Sequence, residues 1–152
     1  MSEAPTPFAA VDILWSDARL LGYAELDRTH EEFYSVAFKL LTADEAGALA
    51  AIRAFEQHAL GHFEMEERWM LETNFPSREC HADEHAAVLA SVRETVQALE
   101  QGTAGAELTR RLAEHLFAWF PGHADYMDSA LAAWMCKRAY GGSPVVLRRS
   151  LA

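Results

Sequence analysis

His62-Phe63-Glu64-Met65-Glu66-Glu67 and, further along, Cys80-His81-Ala82-Asp83-Glu84-His85 decide how this chain is read. Each run holds two metal-ligand side chains four residues apart: His62 with Glu66, and His81 with His85. On an α-helix, residues i and i+4 lie only about 40° apart around the axis, so both members of a pair point the same way. Two such pairs, on two helices joined by a short loop, read as two halves of one site facing each other across a bundle.

The surrounding residues support helices on both sides. Leu49, Ile52, Phe55, Ala59, His62, Phe63, Glu66, Trp69 and Met70 form one apolar stripe with helical spacing. Thr42-Ala43-Asp44-Glu45 has the pattern of a capping box, with Thr42 as cap, so this second helix is expected to run from there to about Glu72. Glu66 lies mid-stripe, and a buried carboxylate is costly unless it is paired or bound to a metal. His58, one turn before His62, fits a ligand by spacing, but Phe55 and Ala59 place it towards a bundle end and favour a non-ligand role. Asn74-Phe75-Pro76-Ser77 breaks the pattern, because the residue before a proline avoids the helical region. A third helix follows, from about Ser77 to Gln101, with His81, His85, Val88, Leu89, Val92, Val96 and Leu99 on its inner face. Cys80 is rotated by about 100° from His81 and reads as an ordinary thiol.

Two more helices complete the set. The first is expected from Ala24 to Leu41, with Leu26, His30, Phe33, Ala37, Leu40 and Leu41 on one stripe. The fourth is expected from Gly105 to Tyr140, with Leu108, Leu112, His115 or Leu116, Trp119, His123, Met127, Leu131 and Trp134 inward. Pro121-Gly122 falls inside it, directly before His123. Asp128 comes five residues after His123, about 140° away on a regular helix, so the two share a face only if a kink or π-bulge narrows the gap. Residues 1–23 carry Pro5, Pro7 and Gly22 and read as an extended arm, with Phe8, Val11, Ile13, Leu14 and Trp15 packing it onto the rest. The expected organisation is therefore all-α. An N-terminal arm over 1–23 precedes an antiparallel up-down-up-down four-helix bundle over 24–141 and a tail over 142–152.

Composition narrows the function. A chain of 152 residues, 51% hydrophobic and 24% charged, suits one globular domain with a real core. The net charge of −10 argues against nucleic acid as a partner, since phosphate binding needs a basic surface. The one basic concentration, Lys137, Arg138, Arg148 and Arg149, reads as a helix C-terminus and a solvated tail. Two cysteines, Cys80 and Cys136, make no disulfide framework. No apolar run approaches the roughly 20 residues that span a bilayer, and the first residues lack a signal-peptide pattern. A cytoplasmic protein without membrane insertion is the expectation.

The inward polar residues are His30, His62, Glu66, His81, His85, His123 and Asp128, with every helix contributing. Seven ligands exceed the four of a zinc site. They suit two octahedral ions with bridging carboxylates and an open position, and iron is the redox-active candidate for an imidazole and carboxylate set. At this point the sequence resembles the hemerythrin family, from Trp15 to about Lys137. The matching motifs are Asp27-x-x-His30, His62-Phe63-x-x-Glu66-Glu67, Pro76 with His81-x-x-x-His85, and Trp119-x-x-x-His123-x-x-x-x-Asp128.

The resemblance implies a non-haem di-iron centre with an oxo or hydroxo bridge. His81, His85 and His123 would hold one iron, His30 and His62 the other, and Glu66 and Asp128 would bridge them. It implies dioxygen as the ligand, bound reversibly at the iron with two histidines, and hence a carrier, store or sensor rather than an enzyme, with an unidentified protein as acceptor of oxygen or signal. The alternative is a di-iron oxidase or peroxidase, or a redox or nitric oxide sensor using the same site. Phe33, Phe63, Met70, Leu89 and Trp119 are the expected pocket walls. Two departures stand out: Ala124 follows His123 where the family usually carries a bulkier aliphatic residue, which is expected to open the pocket, and Pro121-Gly122 just before His123 is unusual.

Overall fold

The computed structural model describes residues 13–147, so Phe8, Val11, Arg148 and Arg149 lie outside the described residues. A short 3₁₀ turn, Asp17–Arg19, lies in the described residues before the first helix. Then come α1 (Ala24–Thr42), α2 (Ala48–Glu72), α3 (Arg78–Glu100), α4 (Ala106–His123), a π-helical turn (Ala124–Asp128) and α5 (Ser129–Tyr140). The last three run on as one rod, so four rods form the bundle. α1 packs against α2 and α4, and α3 packs against α2 and α4, which closes the ring.

The ends of the helices explain their lengths. Asn74 takes the left-handed conformation (φ 55°) just past α2, and the Phe75 N–H reaches back to the Met70 carbonyl at 2.8 Å. This closes the last turn and turns the chain towards α3. At the other end of α2 the expected capping box does not form. Thr42 is the last residue of α1, where its hydroxyl donates to the Phe38 carbonyl at 2.9 Å, and α2 starts only at Ala48. Glu45 turns across the bundle end instead and accepts the Ala106 N–H at 3.2 Å, so it caps α4. The pattern was local, but the unsatisfied donor it meets lies on a different helix.

The entry to α1 is pinned by side chains. The Asp27 carboxylate accepts the Leu21 N–H at 2.7 Å and the Gly22 N–H at 3.0 Å. Gly22 has φ +93°, and a Cβ there would lie 2.6 Å from the Pro144 Cβ, so only glycine lets the C-terminal segment pass. Trp15 is half-buried and tilted against Tyr34, with ring centroids 5.9 Å apart.

Two apolar clusters fill the interior. One gathers Phe33, Tyr34, Leu40, Ile52, Phe55, Phe63, Val92, Leu116, Phe117 and Phe120. The other gathers Leu26, Trp69, Met70, Phe75, Leu131 and Met135. His30, His62, Glu66, His81, His85, His123 and Asp128 come between them in every rod. The inner face of α4 is rotated from the expected stripe. Ala113, Leu116, Phe117 and Phe120 are buried, Leu108, Leu112 and Trp119 are half-buried, and His115 is exposed. The small residues Thr109 and Ala113 are fully buried, while the larger Leu112 and Trp119 lie at the edge of the core.

Candidate metal centre

All seven sequence-predicted residues meet in this middle layer, each less than one-tenth exposed. They form two overlapping groups whose ligand atoms lie within 4.8 Å of one another. Glu66, His81, His85, His123 and Asp128 make one group, and His30, His62 and Glu66 make the other.

The last site residue depends on the π turn. Between Ala124 and Asp128 the helix widens, and the Ser129 N–H bonds to the Ala124 carbonyl five residues back. The extra residue in the turn swings Asp128 towards the face that holds His123. His123 Nε2 and Asp128 Oδ1 come to 3.2 Å. Pro121 sits one turn upstream, where its ring removes a backbone donor.

Both carboxylates face two ways. Asp128 directs Oδ1 towards His81 at 3.0 Å and His123 at 3.2 Å, and Oδ2 towards His30 at 3.1 Å. Glu66 directs Oε1 towards His81 at 3.2 Å and Oε2 towards His62. Each carboxylate therefore offers one oxygen to a three-histidine half (His81, His85, His123) and one to a two-histidine half (His30, His62).

These atoms are close without being hydrogen-bonded. The Nε2 atoms of all five histidines and all four oxygens of Glu66 and Asp128 are buried and lack a hydrogen-bond partner. Buried polar groups are ordinarily satisfied, so a concentration of orphaned lone pairs aimed at shared points fits a cation better than a hydrogen-bond network. The proton affinities agree. Burial and the neighbouring Asp128 carboxylate push Glu66 well above the usual carboxylate range. Burial would raise Asp128 too, but the close imidazoles of His123, His30 and His81 outweigh it and hold Asp128 well below that range. Burial would lower His81, yet its contacts with Asp128 and Glu66 lift it to about 9. Burial and neighbouring imidazoles push His62 down to about 3 and His85 down to about 2. Burial thus keeps His62 and His85 neutral, as ligands to a metal must be, while the nearby carboxylates hold His81 and His123 towards the protonated form that a cation would displace.

The walls are aromatic. Phe33 stacks on Phe120 at 4.2 Å, and Phe120 meets His30 edge-on at 4.9 Å. Phe63 stacks on His85 at 4.0 Å and Trp119 on His123 at 4.4 Å. Of the expected walls, Leu89 only packs against the large cluster and Met70 belongs to the other one. Phe120 is buried but lies off the stripe of large apolar residues expected for α4, so sequence spacing does not mark it. Ala124 lines a cavity of about 310 Å³ together with His30, Tyr34, Phe120 and Arg19. A second cavity, about 240 Å³, lies against His58, Gly61 and His62. His58 belongs to neither ligand group; its ring meets that of His62 edge-on at 5.3 Å.

Two further acids contribute that sequence reading left without a role. Glu84 Oε1 accepts from His123 Nδ1 at 3.0 Å and from Trp119 Nε1 at 3.2 Å, and Glu67 Oε2 accepts from His85 Nδ1 at 3.3 Å. Both lie outside the apolar stripes beside a ligand position, so in sequence they look like solvated acids.

The comparisons with known proteins agree with this geometry. The chain is 37% identical over 126 residues to a bacteriohemerythrin of Ralstonia nicotianae, covering 83% of this chain and 90% of that protein. It is 27% identical over 101 residues to a myohemerythrin of Riftia pachyptila, covering 66% of this chain and 78% of that one. Crystal structures of hemerythrin point mutants share the fold, with a TM-score of 0.69 at 17% identity, covering 76% of this chain and 91% of theirs. The model of the hemerythrin HHE cation binding domain matches residues 21–135. With its cluster of inward histidines and carboxylates in the layer where such a domain would hold its cation, the chain belongs to the hemerythrin family.

Proposed function

We propose that this protein binds dioxygen reversibly at a non-haem di-iron centre. The observation that carries the reading is the two-way geometry of Glu66 and Asp128, each with one oxygen towards three histidines and one towards two. In this reading His81, His85 and His123 hold one iron, His30 and His62 hold the other, and Glu66 and Asp128 bridge the pair. When bound, the two ions supply a redox-active pair able to exchange electrons with dioxygen. The half with two histidines has fewer protein ligands, which leaves it room for an exogenous molecule. Phe33, Phe63 and Phe120 pack against the rings of that half, and their apolar surface disfavours the entry of water and protons that would make oxidation irreversible. The donor set is rich in neutral imidazole and poor in carboxylate. Fewer anionic ligands stabilise high-valent iron less, so the set favours reversible binding over strong oxidation.

The test is direct. The protein is loaded with iron, reduced without air, then exposed to air while its visible spectrum is recorded. An oxygen-dependent charge-transfer band that disappears under vacuum is the expected result. Irreversible oxidation with turnover of an added reductant points instead to an oxidase or peroxidase. Failure to retain iron defeats both readings.

A further inference from the structure

We propose that Glu84 and Glu67 are positioning residues that make the His81, His85 and His123 half the tighter cation subsite, the one filled first. The inference rests on the reading that the layer holds two cations, and it adds an order to their binding.

A histidine can ligate through Nε2 only when the proton sits on Nδ1, and the hydrogen bond at Nδ1 sets both tautomer and ring orientation. Glu84 accepts from His123 Nδ1 at 3.0 Å, and the Trp119 indole donates to the same oxygen at 3.2 Å, which holds the carboxylate in place. Trp119 also lies on the face of the His123 ring, 4.4 Å away and inclined by 27°. Glu67 serves His85 in the same way at 3.3 Å, and Phe63 covers that ring at 4.0 Å and 7°. Each of these imidazoles is therefore clamped on one edge by a carboxylate and on one face by an aromatic ring.

The two-histidine half is built differently. Among the described residues, His62 Nδ1 is buried and has no hydrogen-bond partner, and neither has His81 Nδ1 on the other half, so the difference rests on His85 and His123. The rings around His62 are those of His30, Phe33, His58 and Phe63, none of which is an anion. Glu84 and Glu67 belong to neither ligand group, and their side chains are 38% and 42% exposed. They touch imidazoles and not the centre, so their influence passes through ring orientation and ligand basicity. A carboxylate behind a ligand histidine strengthens metal binding, and its loss typically costs 10–100-fold in affinity. Two of the three histidines on one half carry such support.

Titrating the metal-free protein with Co²⁺, followed by absorbance and calorimetry, tests this. The wild type should bind two ions in two resolved steps. Glu84→Gln and Glu67→Gln should each weaken the first step by about 10–100-fold and leave the second largely unchanged. Gln keeps the size of Glu and can still accept a hydrogen bond, so a merely space-filling role would leave the first step unmoved. Trp119→Phe, which keeps a stacked ring but loses the second donor, should weaken the same step by less. In His62→Ala the first step should persist and remain sensitive to Glu84→Gln. Two equal steps, or equal weakening of both by Glu84→Gln, would overturn the inference while leaving the two-cation reading intact. No Co²⁺ binding at all would overturn that reading itself.

Discussion

The three-histidine half and the two-histidine half of the centre share Glu66 and Asp128, yet they are finished differently on the outside. His85 and His123 lean on Glu67 and Glu84, while the Nδ1 of His62 faces no partner among the described residues. Cavities reach both halves: His30 and His62 border cavities of about 310 and 240 Å³, and His81 borders one of about 270 Å³. The difference teaches that two halves with the same imidazole chemistry can be supported unequally from behind. The primary donors are imidazole on both sides, and the distinction lies in what stands behind them.

The largest effect should come from removing what the halves share. Glu66→Ala deletes oxygens that face both, so the iron content should fall from two per chain to one or fewer, measured by elemental analysis. If Glu66→Ala keeps two, the bridging assignment is wrong. Next, the halves can be separated. His62→Ala should retain about one iron per chain, whereas His123→Ala should lose the firmly held ion and retain less iron than His62→Ala. Equal retention by the two variants would erase the asymmetry.

Most of the centre was legible in the sequence because its residues violate a rule. A helix stripe that packs a core is apolar, so His62 and Glu66 among Phe55, Ala59, Phe63 and Trp69 need a reason to be there. Asp128 was harder, since its register is right only through the π turn between Ala124 and Asp128. Pro121-Gly122 signalled a disturbance there but not its form. Glu84 and Glu67 were not legible, because each serves a histidine on another helix and no local spacing encodes such a partnership. Glu45 failed for the same reason: it looked like part of its own helix's cap and serves Ala106 instead. The buried face of α4 includes the small residues Thr109 and Ala113, which a count of large apolar residues does not register.

A third and smaller effect concerns pH in the metal-free protein. Three histidines are held neutral by burial: His58 at about 4, His62 at about 3 and His85 at about 2. Below the ordinary histidine value of about 6.5 the unfolded chain binds protons that these folded sites refuse, so stability should drop as the pH falls through that range. His81, raised to about 9, the raised His123 and Glu66, raised to about 8, act in the opposite sense: their contribution is lost as the pH rises, through about 8 for Glu66 and about 9 for His81. Thermal unfolding should therefore show a maximum near about pH 6.5 and fall on both sides of it. A midpoint unchanged between about pH 5 and 7 would mean that these imidazoles are not buried neutral in solution.

The smallest effect should come from His58. It touches His62 but belongs to neither ligand group, so His58→Gln should leave the iron content at the wild-type value and change stability by no more than about 1 kcal/mol. Loss of iron in this variant would extend the ligand set of the two-histidine half.

The central claim is that two iron ions share Glu66 and Asp128. Low-temperature electron paramagnetic resonance of the iron-loaded, air-oxidised protein, read beside its iron content, tests it most directly. Two ferric ions coupled through shared bridges should give two irons per chain and no signal from isolated high-spin ferric iron. One iron per chain with a full isolated ferric signal, or two irons that both give that signal, would contradict the account.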